Sequence, residues 1–234
     1  MPAAVALIRK LGQAALDAVF PPRCSGCGAS GTFLCPECAA ALPATGPPRC
    51  YRCWRPGSWA GDCSHCRLDP PAFDALRSAF VYAGLARELV HALKYRGMTA
   101  LGETMAALTL EAAKDAEADV VVPVPLSSRR LRSRGYNQAA ALARPLAREL
   151  GLPLASRLLR RSRNTQAQAR TSDADERRLN VAGAFAVRGA GIARSRVLLV
   201  DDVTTTGATL DACAGALKEA GARSVYALTF ARED

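Results

Sequence analysis

Short apolar runs alternate with longer amphipathic segments from residue 79 to the end of the chain. The runs are rich in branched side chains, as in strands buried on both faces of a parallel sheet, and they lie at 79–82, 120–124, 197–200 and 225–230. The segments 85–95, 99–116, 136–150 and 208–221 carry apolar residues at helical spacing. A further short strand is predicted at Phe185–Val187. The alternation predicts an α/β domain, a parallel sheet flanked by helices, over residues 72–234.

The strand predicted at 197–200 leads into a polar segment that suits an anion. Asp201 and Asp202 follow the strand, and small residues lead into a predicted helix: Val203, Thr204, Thr205, Thr206, Gly207, Ala208 and Thr209. A helix N-terminus offers free N–H groups, threonine hydroxyls add donors, and Gly207 lets the backbone approach a phosphate. Two carboxylates beside a phosphate site suit ribose hydroxyls, directly or through a cation. The segment has neither a Walker A nor a dinucleotide-binding pattern.

Four arginines fall within six residues after the strand at 120–124, and they are Arg129, Arg130, Arg132 and Arg134. We expect them in a loop between this strand and the next helix. A solvated basic loop is one interpretation, and a clamp for pyrophosphate, built from guanidinium groups and loop amides, is the other. Because ligands of parallel sheets bind at the carboxyl ends of strands, the arginines and the acid pair Asp201–Asp202 can face one pocket.

The chain is strongly basic, with 31 Lys and Arg against 21 Asp and Glu and a formal charge of +10. This balance favours an anionic partner, either a phosphate-rich small molecule or nucleic acid, and charge alone does not distinguish them. The polar, basic stretch 157–180 fits a solvated surface, a mobile lid over an anionic substrate or a nucleic-acid contact. It has no aromatic residue, which weakens a base-stacking role.

Eight of the nine cysteines form four C-x-x-C pairs within residues 21–68. The pairs are Cys24 and Cys27, Cys35 and Cys38, Cys50 and Cys53, and Cys63 and Cys66. Each half supplies the four thiolates of a tetrahedral structural zinc site, and metal binding would supply folding free energy to so small a module. Sequential pairing gives two sites, and interleaved pairing is the alternative. Redox dithiols are disfavoured because no βαβ pattern surrounds the pairs.

Residues 1–20 carry apolar residues at helical spacing together with Arg9, Lys10 and Asp17. This pattern predicts an amphipathic helix rather than a secretory signal. The chain has no run of eighteen apolar residues, so we expect no membrane span.

The motifs together resemble a known family. The run V-L-L-V-D-D-V-T-T-T-G-A-T at 197–209 resembles the signature that binds phosphoribosyl pyrophosphate (PRPP) in type I phosphoribosyltransferases. With the cysteine module, H-A-L-K-Y-R-G at 91–97, V-P-V-P-L at 122–126, R-G-Y-N-Q at 134–138 and R-N-T-Q-A-Q at 163–168, the chain resembles the competence-associated ComF family. The resemblance implies a type I phosphoribosyltransferase fold behind a zinc ribbon, a cytoplasmic location, and work on incoming single-stranded DNA with competence-machinery proteins.

The resemblance also implies roles for single residues. Asp201 and Asp202 would hold the ribose hydroxyls of PRPP during catalysis, and Val203 would belong to the same PRPP-binding segment. Thr204–Thr209 would bind the 5′-phosphate, and residues 129–134 would lie at the pyrophosphate, accompanied by Mg2+. Thr205 stands where hypoxanthine–guanine enzymes carry aspartate, which argues against that purine class, although orotate-type signatures also have threonine there. Pro2 leaves no N-terminal cysteine nucleophile, so we do not expect a glutamine-dependent amidophosphoribosyltransferase. Two hypotheses stand: a transferase with an unidentified acceptor, and a non-catalytic adaptor for nucleic acid that retains the PRPP pocket.

Overall fold

A computed structural model describes residues 21–161, 183–189 and 191–234. The chain divides into two compact units, Met1–Leu42 and Pro43–Asp234. The cysteine pairs before residue 42 belong to the first unit, and those after residue 49 belong to the second, together with the sheet. The helix predicted at 1–20 and the motif at 163–168 lie outside the described residues.

A four-stranded parallel sheet forms the centre of the second unit, in the order β1-β6-β5-β2. An antiparallel pair, β3 and β4, stands apart from this sheet. The strands are β1 (Ala75–Val81), β2 (Val120–Pro123), β3 (Leu159–Arg161), β4 (Phe185–Val187), β5 (Arg196–Thr204) and β6 (Ser224–Arg232). The predicted α/β class and the strand at Phe185–Val187 are therefore confirmed.

Helices cover both faces of the sheet, as the alternating pattern predicted. The helices are α1 (Pro36–Ala40), α2 (Ser64–Leu68), α3 (Gly84–Tyr95), α4 (Leu101–Ala113), α5 (Ser128–Arg134), α6 (Gln138–Glu149) and α7 (Ala208–Glu219). Helix α4 packs on β1, β6 and α6, and α6 packs on β2 and β5. Helix α7 packs on β5, β6 and the β3–β4 pair.

Burial on both faces explains the continuous apolar run in β5. Val197 and Leu199 lie in one cluster with Leu210 and Cys213 of α7. Alternate residues of a strand point to opposite faces, so Leu198 points towards the side on which α6 packs. These side chains are fully buried, and each one adds about 1.5–3 kcal/mol of hydrophobic stabilisation when it leaves water.

Strand β5 is longer than its apolar run predicts. It continues through Asp201 and Asp202 to Thr204, because the backbone stays paired with β6 as far as Arg232. The acid pair therefore lies within β5 and does not follow the strand. The hydrogen bonds of the sheet hold its backbone in place.

The stretch 157–180 was expected to be a polar surface segment or a lid. Its beginning instead forms β3, which pairs with β4 in the register Leu159↔Val187 and Arg161↔Phe185. Leu159 is buried against the α7 side of the core, which explains why three residues in a basic context form a strand. The rest of this stretch, from residue 162, lies outside the described residues.

Hydrogen bonds fasten the second cysteine segment to the sheet within Pro43–Asp234. Arg232 at the end of β6 donates to the backbone oxygen of Cys53 at 2.8 Å. The backbone N–H of Leu76 in β1 donates to the oxygen of Arg52 at 2.7 Å. The segment is therefore hydrogen-bonded near the start of β1 and at the end of β6, its parallel neighbour. Among the described residues, no helix is long and apolar enough to cross a membrane.

Candidate functional site

A cleft of about 1260 Å³ opens where β2 and β5 end. Ligands of parallel sheets bind at this edge, because the loops and helix N-termini that follow the strands converge there. The walls come from β5, from the segment that follows β2 and from the end of α3. The residues with polar or charged groups at the cleft include Lys94, Tyr95, Ser127, Arg129, Arg130, Arg134, Gln138, Arg161, Asp201, Asp202 and Thr209.

The arginine segment lies on a short helix, α5, and not in the loop that we expected. Ser127 is its N-cap and accepts a hydrogen bond from the backbone N–H of Arg130 at 3.3 Å, which favours helix initiation. Gly135, with φ 82°, ends the helix in the left-handed conformation that glycine adopts readily.

Not all of the arginines reach the cleft. Arg130 and Arg134 are four residues apart and therefore share one side of the helix. These two side chains line the cleft together with Arg129, whereas Arg132 is exposed and is not among the lining residues. Three of the four predicted arginines thus line the same cleft as the acid pair.

The small-residue segment turns from β5 into α7 beside the cleft. Gly207 is the N-cap and has φ 87°, a conformation that a side chain would strain. The hydroxyl oxygen of Thr206 accepts a hydrogen bond from the backbone N–H of Ala208 at 3.3 Å. Thr205 and Thr206 are exposed, and Thr209 lines the cleft. Backbone N–H groups and hydroxyls at the start of α7 are thus available to an anion.

The acid pair is buried at the inner end of the cleft. Asp201 is 8% exposed and Asp202 is 2% exposed. The backbone N–H of Asp202 donates to Asp201 Oδ1 at 2.9 Å. Burial raises the pKa of the Asp201 carboxyl well above its ordinary value, and the neighbouring charge of Asp202 raises it further. Two carboxylates this close and this buried need positive charge or hydrogen-bond donors around them.

Sequence analysis missed two polar neighbours of the acid pair. Lys94 Nζ lies 2.7 Å from Asp202 Oδ2, and Gln138 Nε2 donates to Asp202 Oδ1 at 3.2 Å. Lys94 stands at the end of α3 and Gln138 begins α6. Both belong to motifs that carried the family resemblance, K-Y-R-G and R-G-Y-N-Q, and that was the available signal.

The eight paired cysteines form two separate groups of four, so the sequential pairing is confirmed and the interleaved one is wrong. In each group the four Sγ atoms lie within 4.8 Å of one another, and the groups are Cys24, Cys27, Cys35 and Cys38, and Cys50, Cys53, Cys63 and Cys66. A tetrahedral zinc–thiolate site with Zn–S bonds of about 2.3 Å has S–S edges of about 3.8 Å. The Cys27–Cys35 and Cys53–Cys63 Sγ distances are 3.7 and 3.8 Å, which fits that geometry.

Backbone N–H groups point at the first sulfur of each group. Cys35 N–H donates to Cys24 Sγ at 3.4 Å, and Cys63 N–H donates to Cys50 Sγ at 3.2 Å. Hydrogen bonds from the backbone of Cys27 and of Cys35 lower the pKa of the Cys24 thiol to about 6. Because zinc binds the thiolate form, these backbone donors favour a metal-bound thiolate at the first cysteine of each group.

Comparison with protein families defines the class of the chain. A phosphoribosyl transferase domain model matches residues 136–233, which include β5, α7 and β6. A double zinc ribbon domain model matches residues 15–67, which contain both cysteine groups. The chain thus combines a phosphoribosyltransferase-type domain with a double zinc ribbon, and its two groups of four cysteines support structural Zn2+.

Comparison with individual proteins identifies the family. Competence protein F of Haemophilus influenzae is 32% identical over 74% of this chain and 80% of its own length. DNA utilization protein YhgH of Salmonella typhi is 34% identical over 70% of this chain and 74% of its own. Competence protein ComFC of Bacillus subtilis is 30% identical over 76% of this chain and 75% of its own. The chain belongs to the ComF family.

The solved structures that match include the glutamine PRPP amidotransferase from B. subtilis in complex with ADP and GMP. It is 25% identical, covers 60% of this chain and 26% of that chain, and has a TM-score of 0.37. A likeness at this level adds nothing to the assignment.

Proposed function

We propose that the cleft binds PRPP together with Mg2+, and that the chain is a cytoplasmic PRPP-binding protein with a role in DNA uptake. One observation carries the proposal. The acid pair, three arginines and the start of α7 all line one cleft at the carboxyl end of a parallel sheet. These groups match the three parts of PRPP: a sugar with hydroxyl groups, a pyrophosphate and a terminal phosphate.

Each part of the ligand has its own set of residues under this proposal. Asp201 and Asp202 accept hydrogen bonds from the ribose hydroxyls, which are donors that suit buried carboxylates. The backbone and hydroxyl groups of Thr204–Thr209 bind the 5′-phosphate at the N-terminus of α7. Arg129, Arg130 and Arg134 face the pyrophosphate, and guanidinium groups bind such oxygens in bidentate fashion.

Mg2+ is proposed to accompany the pyrophosphate. Oxygen ligands suit this ion, and the pyrophosphate and ribose oxygens of PRPP would supply them. When bound, the ion would neutralise charge on the pyrophosphate.

A transferase reaction would displace pyrophosphate from the anomeric carbon of the ribose. The arginines of α5 would stabilise the negative charge that grows on the leaving pyrophosphate. The acid pair on rigid β5 would hold the ribose in one orientation, which lowers the entropic cost of the reaction. Thr205 occupies the position of the purine-directed aspartate, so the acceptor is not expected to be hypoxanthine or guanine.

A second candidate function is a non-catalytic adaptor in DNA uptake that keeps the PRPP pocket as a sensor. Its support comes from the names of the relatives, competence protein F and DNA utilization protein, and from the basic charge of the chain. Arg132 is exposed on α5 and does not line the cleft. Such arginines suit the phosphates of single-stranded DNA.

Calorimetric titration with PRPP and Mg2+, followed by an assay of pyrophosphate release over a panel of bases and amines, separates the two candidates. Binding with release for one acceptor, above the rate without acceptor, supports the transferase. Binding without release for any acceptor supports the adaptor and leaves PRPP as a regulatory ligand. Absence of PRPP binding at millimolar ligand contradicts both.

A further inference from the structure

Two residues to which the proposed function gives no role, Lys94 and Gln138, meet around Asp202. K-Y-R-G, at the end of α3, contributes Lys94, and R-G-Y-N-Q, between α5 and α6, contributes Gln138. The ammonium of Lys94 lies 2.7 Å from Asp202 Oδ2, and the amide of Gln138 donates to Asp202 Oδ1 at 3.2 Å. Each oxygen of this buried carboxylate therefore has a partner supplied by one of the two motifs.

Further contacts fix the positions of these partners. The hydroxyl of Tyr136 donates to the backbone oxygen of Leu93, which joins the second motif to the end of α3. Arg134 donates to Gln138 Oε1 at 2.5 Å, so the amide nitrogen of Gln138 faces Asp202. The guanidinium of Arg134 also lies 5.3 Å from the centroid of the Tyr95 ring. The arrangement is a connected network, since each contact restricts the next.

The ion pair is largely removed from water, so its charges act strongly on their neighbours. The side chains of Lys94 and Asp202 are 20% and 3% exposed. Burial lowers the pKa of Lys94, but the charge of Asp202, the hydrogen bond to it and the charge of Asp201 together raise the pKa above its ordinary value. The charge of Lys94 also opposes the rise in the pKa of Asp201 that burial and Asp202 produce.

We propose that Lys94 is a positioning residue whose ammonium is the resident counter-ion of the acid pair. Its charge keeps the pair as hydrogen-bond acceptors for a ribose diol, and this last step rests on the proposed function. Each carboxylate oxygen has two lone pairs, so the contacts with Lys94 and Gln138 leave acceptor sites for the ligand.

Other titratable and charged groups lie near the pair and remain in place when Lys94 is changed. Tyr82, which follows β1, makes a small contribution to the raised pKa of Lys94. Cys213 of α7 lies near Asp201. Burial is the main cause that raises the pKa of the Cys213 thiol, and the charge of Asp201 raises it further. Arg161 of β3 interacts with Cys213 and with Arg130 of α5. A change at Lys94 alone therefore isolates the effect of its ammonium.

The direct test is a carboxyl titration of the ligand-free full-length protein. Aspartate is labelled with 13C at the carboxyl carbon, and the resonances of the pair are assigned from Asp201→Asn and Asp202→Asn. Removing a nearby cation disfavours the charged form of an acid, so Lys94→Met is expected to move the titration of the pair upward by about one pH unit or more. Lys94→Arg keeps the charge and is expected to stay near the wild-type curve.

A Lys94→Met titration that overlays the wild-type curve would overturn the proposal. Thermal unfolding is recorded for each variant, so that a titration shift caused by a loosened fold is distinguished from one caused by the lost ammonium. If Lys94→Met does not fold, Lys94→Gln takes its place in the same comparison.

PRPP titration over pH 6–8.5 adds the functional readout. Lys94→Met is expected to bind about tenfold more weakly than wild type at pH 7, with the loss shrinking as pH rises and the pair becomes ionised. Equal affinity of both proteins at all pH values would overturn the ligand-binding part of the inference. If the wild type does not bind PRPP, the proposed function fails, while the carboxyl titration still decides the role of Lys94.

Discussion

Among single residues, Arg49 makes the ion pair that fastens the second cysteine group to the last strand. Arg49 is 7% exposed, and its guanidinium donates to both carboxylate oxygens of Asp234 at 2.9 and 2.6 Å. It also donates to the backbone oxygens of Gly46 and Trp54. Hydrogen bonds from Arg49 lower the pKa of Asp234. A buried guanidinium with one carboxylate partner is costly to leave unpaired.

We therefore predict that Asp234→Asn lowers the free energy of unfolding at pH 7 by about 1.5–3 kcal/mol, the range for hydrogen bonds to charged groups. Because the folded-state pKa of Asp234 is lowered, its stabilisation is present above the unfolded pKa of about 4 and is lost as pH falls through the folded value. The difference between variant and wild type should shrink when urea unfolding is repeated from pH 7 towards pH 3.

Glu233→Gln is the matched control, since that side chain is exposed on the neighbouring position. A loss of the same size in the control, or one that does not change with pH, would contradict the role of the ion pair.

Candidate site residues could be predicted from the sequence where they belong to one continuous motif. Asp201 and Asp202 could be assigned because a buried strand leads directly into a loop and a helix N-terminus. Lys94 and Gln138 could not, because their contacts with Asp202 join segments far apart in the chain. Such contacts depend on which helices the sheet brings together, and periodicity does not specify this.

Among the elements, the two cysteine groups lie in different compact units of the chain. The first lies in the unit Met1–Leu42, and the second shares Pro43–Asp234 with the sheet. Small cysteine-rich segments have little apolar core, so metal binding contributes directly to their folding. The two groups should consequently differ in what their loss does to the sheet.

We predict two zinc ions per chain by elemental analysis, and one after either Cys35→Ser or Cys63→Ser. Cys63→Ser should also lower the melting temperature of the large unit by several degrees, because its cysteine segment is hydrogen-bonded to β1 and β6. Cys35→Ser is the matched control, since Cys35 is the buried third cysteine of its group as Cys63 is of the other, and it should leave the main unfolding transition near its wild-type temperature.

Zinc-free reduced protein with unchanged stability would contradict a structural role for the metal. Equal thermal losses in the two variants would contradict this difference between the two groups.

Helix α5 was not predicted, although its sequence carries signals for a helix. Arginine density after a strand favoured a loop, yet Ser127 as N-cap and Gly135 as C-cap were visible signals of a short helix. Strand β3 gave no such signal, because its three residues lie in a basic, polar context and only its pairing with β4 makes it a strand. Short elements of this kind are decided by tertiary contacts rather than by local pattern.

For the molecule as a whole, the alternation of strands and helices was sufficient to predict the α/β class. The sheet order β1-β6-β5-β2 was not predictable, since it depends on crossovers that periodicity does not encode. That order places β2 beside β5, so the arginines that follow β2 and the acid pair in β5 line the same cleft. The candidate PRPP site therefore depends both on the sequence motifs and on the strand order that brings them together.

The most direct test of that site is calorimetric titration of PRPP and Mg2+ into the wild type and into the double variant Asp201→Asn with Asp202→Asn. Glu111→Gln with Asp115→Asn is the matched control, because it removes two carboxylates from exposed positions. Two lost charge-assisted hydrogen bonds predict affinity weaker by roughly 100-fold or more in the acid-pair variant, with an intact fold, and wild-type affinity in the control. Unchanged affinity in the acid-pair variant would contradict the assignment of PRPP to this cleft.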